Sequence, residues 1–185
     1  YDLDVIVSQA DWNILKEMNV PVLKISSFHL TDDYLLTKSA ESKIPIILST
    51  GMSTIEEVDH AVALLKNLNA KFAVLQCTSS YPTAVENVHL SVIGEFKRKY
   101  DCVVGYSGHE NGVSIAACSI FFGGSLIEKH FTLDRTMKGP DHATSLEVSG
   151  LRMLVERLRE QEIAIGNSHK EVLECEKANL KKFRN

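Results

Sequence analysis

The chain has no C-x-x-C pair, no excess of basic residues, no glycine fingerprint and no long apolar run, and each absence removes a class of function. Its four cysteines, Cys77, Cys102, Cys118 and Cys175, lack metal-finger or redox spacing, and the apolar settings of the first three predict buried free thiols in a reducing compartment. A formal charge of -4 leaves no basic footprint, so nucleic acid is not an expected partner. No apolar stretch reaches the roughly 18 residues that span a bilayer, and no charged n-region precedes an apolar leader. The expectation is a soluble, cytoplasmic protein without a membrane partner. No dinucleotide or P-loop glycine motif occurs, which sets those cofactors aside. Internal repeats and low-complexity tracts are also missing.

What is present is a regular alternation. With 185 residues, 44% of them hydrophobic, the chain can bury a core as one domain. Short apolar runs at Val5–Val7, Val22–Ile25, Ile46–Ser49, Phe72–Gln76, Cys102–Gly105 and Ser125–His130 read as six parallel strands. Helical-period segments at 9–18, 32–42, 54–67, 87–99, 112–122 and 147–166 lie between and after them, which is the pattern of successive βα units. Thr54-x-x-Glu57 has the form of a capping box. In the last helix Leu151, Leu154, Val155 and Leu158 recur at helical spacing and are expected to pack on the sheet. Residues 1–168 are read as the domain, and the charged stretch 169–185 as a linker or peripheral tail.

Polar residues close five of the apolar runs: Lys24 with Ser26 and Ser27, Ser49, Cys77 through Tyr81, Ser107 with His109, and Lys129 with His130. Chemistry delivered from so many strand ends to one rim favours a TIM-type (β/α) barrel over a doubly wound sheet, which binds mainly at one switch point. Eight units normally close such a barrel, so six imply an incomplete one, and the opening on Tyr1 within a periodic pattern implies more chain upstream. His109 and His130, each just after an apolar run, are candidate ligands for a divalent metal, with Asp141 beside them. Either histidine alone is more often a packed residue than a ligand; two at equivalent strand ends shift the balance. Lys24 in an apolar strand points to an anion site, because a buried ammonium without a partner is costly. Ser27, Ser49 and Ser107 beside it resemble a phosphate or carboxylate cradle, although any one serine ends a strand equally well.

Taken together, Lys24-Ile25-Ser26-Ser27, Ile47-Leu48-Ser49-Thr50-Gly51-Met52, Gln76-Cys77-Thr78-Ser79-Ser80-Tyr81-Pro82, Gly105-Tyr106-Ser107-Gly108-His109-Glu110 and Glu128-Lys129-His130-Phe131-Thr132 resemble the sialic acid synthases. Gly139-Pro140-Asp141-His142-Ala143 extends the resemblance, which runs in order through nearly the whole chain. It implies condensation of phosphoenolpyruvate with an N-acetylmannosamine-type sugar, giving a sialic, legionaminic or pseudaminic type of nonulosonic acid and releasing phosphate. It implies manganese as the metal, with magnesium or cobalt accepted, held by His109 and His130. Lys24, Ser27 and Ser49, with Ser107 beside them, match positions that hold phosphoenolpyruvate; Tyr81 and Asp141 match sugar-contacting positions. Glu128, on the strand face of His130, is the candidate for stabilising positive charge at the former enol carbon.

Departures accompany the match. Ser79 stands where the family often has Asn, and His29 where most members carry an acidic residue, which bears on sugar choice. Phe28 looks like the pseudaminic branch, Asp141-His142-Ala143 like the sialic and legionaminic branches. The first two barrel strands and the C-terminal antifreeze-like domain have no counterpart, and residues 174–185 look like the start of the linker to that domain. A homodimer is expected, since an incomplete barrel exposes edges that another chain would cover. The alternatives are a non-catalytic binding module derived from this family, and a barrel enzyme of the 3-deoxy-sugar acid synthase kind using the same enol donor.

Overall fold

The structure, a computed structural model, describes residues 20–184. Five parallel strands follow one another across a single sheet in sequence order: β1 Leu23–Ile25, β2 Ile46–Ser49, β3 Phe72–Cys77, β4 Val103–Gly108 and β5 Leu126–Lys129. Helices α1 Asp33–Glu41, α2 Ile55–Asn67, α3 Ser91–Lys99 and α4 Ser114–Cys118 fill the crossovers, and α5 Val148–Ile165 follows β5. A strand order that never reverses has no switch point, so the winding is that of a (β/α) barrel and not of a doubly wound sheet. The expected strand Val5–Val7 and helix 9–18 lie outside the described residues.

The register assigns every strand residue to one of two faces. Lys24 pairs with Ile47, Ser49 with Leu75, Cys77 with Ser107, and Ser107 with Glu128. Because strand side chains alternate, Lys24, Ser49, Cys77, Ser107 and Glu128 therefore share one face. The other face carries Leu23, Ile25, Ile46, Leu48, Val74, Val104 and Tyr106, which pack with Leu36, Val58, Val62, Leu65, Ile93, Phe96 and Ala116 of the helices. The hydrophobic core is thus the layer between sheet and helices, and the polar set is left to the concave side.

The sheet is strongly curled. In a flat sheet β1 and β5, four spacings apart, would be separated by about 19 Å. Instead Lys24 Nζ of β1 lies 3.6 Å from Glu128 Oε1 of β5, and Ser49 Oγ lies 3.4 Å from Glu128 Oε2.

Several helix ends show why the sequence segments as it does. Thr54 caps α2, accepting from Glu57 N while Glu57 accepts from Thr54 N, the expected capping box. Asp32 caps α1 by accepting from Leu35 N. The helix expected over 87–99 starts only at Ser91, because His89 takes a left-handed φ of 52° that no helix continues through. The expected helix 112–122 is α4 followed by a 3-10 turn, Ser119–Phe122, ended by Gly123 at φ 88°. In α5 the expected apolar stripe is only half used: Leu154 is buried and Leu158 packs on the core, but Leu151 and Val155 are 40% and 48% exposed. The helix meets α4 and the 3-10 turn along one narrow line, so neighbours on the same stripe stay outside it. Of the cysteines expected to be buried, Cys77 is, whereas Cys102 and Cys118 are half-buried; all four are free. The tail forms a short helix, α6 Lys177–Phe183, exposed along its length. No helix among the described residues is long and apolar enough to cross a membrane.

Two outcomes follow for stability. A Cβ on Gly105 would lie 2.1 Å from the Leu126 carbonyl oxygen, so Gly105→Ala must push β4 from β5 and is expected to cost about 2 kcal/mol or more in urea unfolding. On the surface, Asp59 of α2 accepts from Lys99 Nζ and Tyr100 OH, both at 2.7 Å, and these bonds hold its carboxyl below its ordinary value. A depressed carboxyl contributes stability above its unfolded pKa and loses it as pH falls through the folded one. Asp59→Asn is therefore expected to cost less than about 1 kcal/mol near neutrality, given the 40% exposure of the side chain, and progressively less below about pH 4.

Candidate active site

The concave end of the sheet is built from strand ends upward. Lys24 is buried in β1, and its ammonium donates to the Ile25 carbonyl at 3.1 Å besides facing Glu128. Glu128 is a counter-charge within the chain for the buried ammonium, which residue type alone did not reveal. Lys24 remains in the site, as one half of an internal pair.

Around Gly51, just past β2, the chain is closely drawn in. Gly51 N donates to Ser27 Oγ at 2.9 Å. A Cβ there would fall 2.2 Å from Ser79 Oγ, 2.9 Å from Ser27 Oγ and 3.1 Å from Cys77 Sγ, so only glycine leaves this recess open. Cys77 is its floor: Sγ is 3.5 Å from Ser27 Oγ, 3.8 Å from Ser79 Oγ and 3.9 Å from His109 Nδ1, with Ser107 also bonded to it. Burial pushes the thiol up, but the bonds from His109, Ser27 and Ser107 together bring it below its ordinary value. Burial likewise opposes charge on His109, and the contact with Cys77 and the Thr78 carbonyl outweighs it and raises the imidazole.

Three rings form the opposite wall. His109 and His130 have centroids 5.2 Å apart at 68°, and Tyr81 lies against His109 at 4.3 Å, tilted by 50°, and meets His130 edge-on at 5.8 Å. His130 Nδ1 is 3.8 Å from Asp141 Oδ2. The loop bearing Asp141 is closed at its base by Thr132 N to Leu146 O and Leu146 N to His130 O, and by Thr132 Oγ1 with His142 Nδ1 at 2.7 Å.

The structure thus brings together Lys24, Ser27, Ser49, Ser79, Tyr81, Ser107, His109, Glu128, His130 and Asp141. His29 is set differently: it lies in a 3-10 turn and pairs with Ser26 Oγ at 2.9 Å. Cys77, at the centre, was missed as a site residue. Strand parity exposes it, since it shares a face with Ser49, Ser107 and Glu128.

The donor set can be tested against a metal. His109 Nδ1 lies 3.1 Å from the Thr78 carbonyl, which can only accept, so the proton sits on Nδ1 and Nε2 carries the lone pair. No group of three His, Cys, Asp or Glu side chains that could hold an ion alone occurs among the described residues. Two adjacent imidazoles, one already oriented by a backbone carbonyl, are donors of the kind that bind a divalent ion.

Comparison with known proteins decides the family. The sequence pattern of the NeuB family matches residues 7–170. The chain belongs to the NeuB family. It is 40% identical over 165 residues to N-acetylneuraminate-9-phosphate synthase of Homo sapiens, covering 89% of this chain and 46% of that protein. It is 36% identical over 171 residues to N,N'-diacetyllegionaminic acid synthase of Campylobacter jejuni, covering 91% and 51%. The chain therefore spans about half the length of the curated relatives it matches. Among solved structures, the N-acetylneuraminic acid synthetase of Leptospira borgpetersenii, determined with citrate, superimposes with a TM-score of 0.86 at 34% identity over 95% of this chain and 61% of that one. The phospho-2-dehydro-3-deoxyheptonate aldolase of Thermotoga maritima, at 16% identity and a TM-score of 0.74 over 86% and 50%, shares the fold. Membership of the NeuB family connects the chain to synthases of sialic, legionaminic and pseudaminic acids.

The internal pair of this NeuB-family chain is open to measurement. Glu128→Gln leaves the Lys24 ammonium, 11% exposed, without its counter-charge, whereas Glu128 itself is 36% exposed and partly screened. A loss of about 1 kcal/mol in thermal unfolding is expected, recovered in the double variant Lys24→Met, Glu128→Gln.

Proposed function

We propose that this chain carries the catalytic half of a phosphoenolpyruvate-dependent synthase that condenses the enol donor with an N-acetylmannosamine-type sugar and releases phosphate. The observation that carries the reading is the convergence of Lys24, Ser27, Ser49 and Gly51 N with the His109–His130 pair on one concave sheet end. Family membership and the names of the relatives support the same chemistry.

In this reading the anionic groups of phosphoenolpyruvate sit against the Lys24 ammonium, the Ser27 and Ser49 hydroxyls and Ser107, in the recess that Gly51 keeps open. Tyr81 and Asp141 hold the open-chain sugar, with its aldehyde toward the two imidazoles. A divalent ion held by His109 and His130, most simply Mn2+, with Mg2+ or Co2+ as substitutes, supplies Lewis-acid polarisation of that aldehyde when bound. Carbon 3 of the enol attacks the aldehyde carbon, leaving positive charge at carbon 2. The Glu128 carboxylate, held at that end by Lys24 and Ser49, places fixed negative charge beside carbon 2. Water adds at carbon 2, and departure of phosphate leaves the 2-keto acid. Ser79, in place of the family's frequent Asn, shortens an anion or substrate contact, and His29, in place of an acidic residue, bears on the choice of sugar. Cytoplasmic placement and a homodimer belong to the same proposal, the first supported by four free cysteines.

The second reading, a binding module without turnover, draws on His29 standing where most family members carry an acidic residue. The test is phosphate release from phosphoenolpyruvate with Mn2+ and a panel of N-acetylated mannosamine-type sugars. Turnover is expected when the rest of the synthase is present, falling at least about 100-fold in His109→Ala and in His130→Ala. Gly51→Ala is expected to weaken phosphoenolpyruvate binding in calorimetry and to lower the melting midpoint, because its Cβ would meet Ser79 Oγ at 2.2 Å and Ser27 Oγ at 2.9 Å. Binding of both donor and Mn2+ without release would favour the module. Release with an unsubstituted aldose phosphate alone would favour the 3-deoxy-sugar acid synthase chemistry.

A further inference from the structure

On the helix side of the sheet, directly behind the two histidines, lies a charged group that the proposed reaction does not use. Glu110 follows His109 and Lys129 precedes His130, so each imidazole has an ionisable neighbour directed to the opposite face. Both are withdrawn from solvent, with side chains 2% and 4% exposed. Lys129 Nζ donates to the Glu110 carbonyl oxygen at 2.6 Å and faces Glu110 Oε1 at 3.2 Å. Tyr106 OH, itself buried, donates to Glu110 Oε2 at 2.7 Å. Space is tight: a Cβ on Gly108 would fall 2.5 Å from the Tyr106 ring and 2.7 Å from Glu110 Oε2.

A buried ion pair is a poor device for stability alone, since well-packed apolar residues usually serve as well or better. Its location supplies a different reason. The paired register of β4 and β5 ends at Gly108 and Lys129, so His109 and His130 stand one residue beyond the last pair. At that point the backbone ladder stops holding the two chains together, and the Lys129 side chain takes over by reaching across to both the backbone and the side chain of Glu110. On the concave side the two histidine rings are in contact, with Tyr81 against both.

We propose that Lys129 and Glu110, completed by Tyr106, are positioning residues that clamp the ends of β4 and β5 and thereby set the spacing of His109 and His130 and their affinity for a divalent cation. The affinity part rests on the metal reading above; the spacing part does not. The clamp acts from behind the sheet and touches no reactant.

The test uses the double variant Lys129→Met, Glu110→Gln, which removes both charges at nearly constant volume, with Mn2+ itself as the probe. Three readings are taken: melting midpoint, Mn2+ affinity from the electron paramagnetic resonance signal of the free ion, and the proton Overhauser contact between the His109 and His130 rings in the metal-free chain. The expected result is a midpoint close to wild type, Mn2+ affinity weaker by about tenfold or more, and a weakened ring contact. Wild-type affinity together with an unchanged ring contact would overturn the clamp. Should the double variant fail to fold, Glu110→Asp keeps the charge and withdraws it by one methylene. It is expected to weaken both readings in the same direction, and unchanged values would overturn the proposal equally. A wild-type chain that takes up no Mn2+ would sink the metal reading instead, and the ring contact would then decide the clamp by itself.

Discussion

The contact between Lys24 and Glu128 joins the first and last described strands of the sheet, and most of the functional geometry depends on the curvature that allows it. Two charges on strands four spacings apart meet only because the sheet bends toward its polar face. The same bend turns a row of strand ends into a concavity and leaves the convex face, with its branched apolar side chains, for the helices. The pair has a second effect. It neutralises an ammonium that would otherwise be costly to bury, and it fixes a carboxylate at the place where positive charge would develop in the proposed reaction.

Curvature and parity act together. Parallel strands in register put residues of the same rank on the same face, so Cys77, Ser107 and Glu128 form one row across three strands. The next residues in each strand point the other way. At the strand ends this alternation separates two kinds of charged group: a partly exposed one on the concave side, suited to ligands, and a fully buried one, Glu110 with Lys129 and Tyr106, on the helix side. Each histidine sits beside a member of the buried group in sequence yet on the opposite side of the sheet. Support and chemistry are thereby adjacent along the chain without competing for space.

The environment of the histidines is also layered. His109 is fixed from below by the Thr78 carbonyl and by Cys77, and from the side by Tyr81; His130 is backed by Asp141 on a loop that Thr132 and His142 hold closed. The two rings are thus held by different loops, β3 to α3 for one and β5 to α5 for the other. Substitutions in either loop can alter the site without touching a strand.

How much of this was legible in the amino-acid order follows from the physics of each feature. The five described strands and the helices between them were readable because period 2 and period 3.6 are local properties, and the Thr54–Glu57 cap is a local hydrogen-bond pattern. Helix starts were less so: His89 breaks the third crossover by a backbone angle that its neighbours in sequence do not announce. The polar strand ends, Lys24, Ser49, Ser107 and the two histidines, stood out by residue type, and the family resemblance came from the order of those motifs. What only the tertiary structure decided was who pairs with whom. Lys24 and Glu128 are 104 residues apart, and only sheet curvature brings the ammonium to the carboxylate. Cys77 looked like core filling until the register set it beside Ser107. The bond from Lys129 to Glu110 depends on where the β4–β5 ladder ends, which is a property of two strands together and of neither alone.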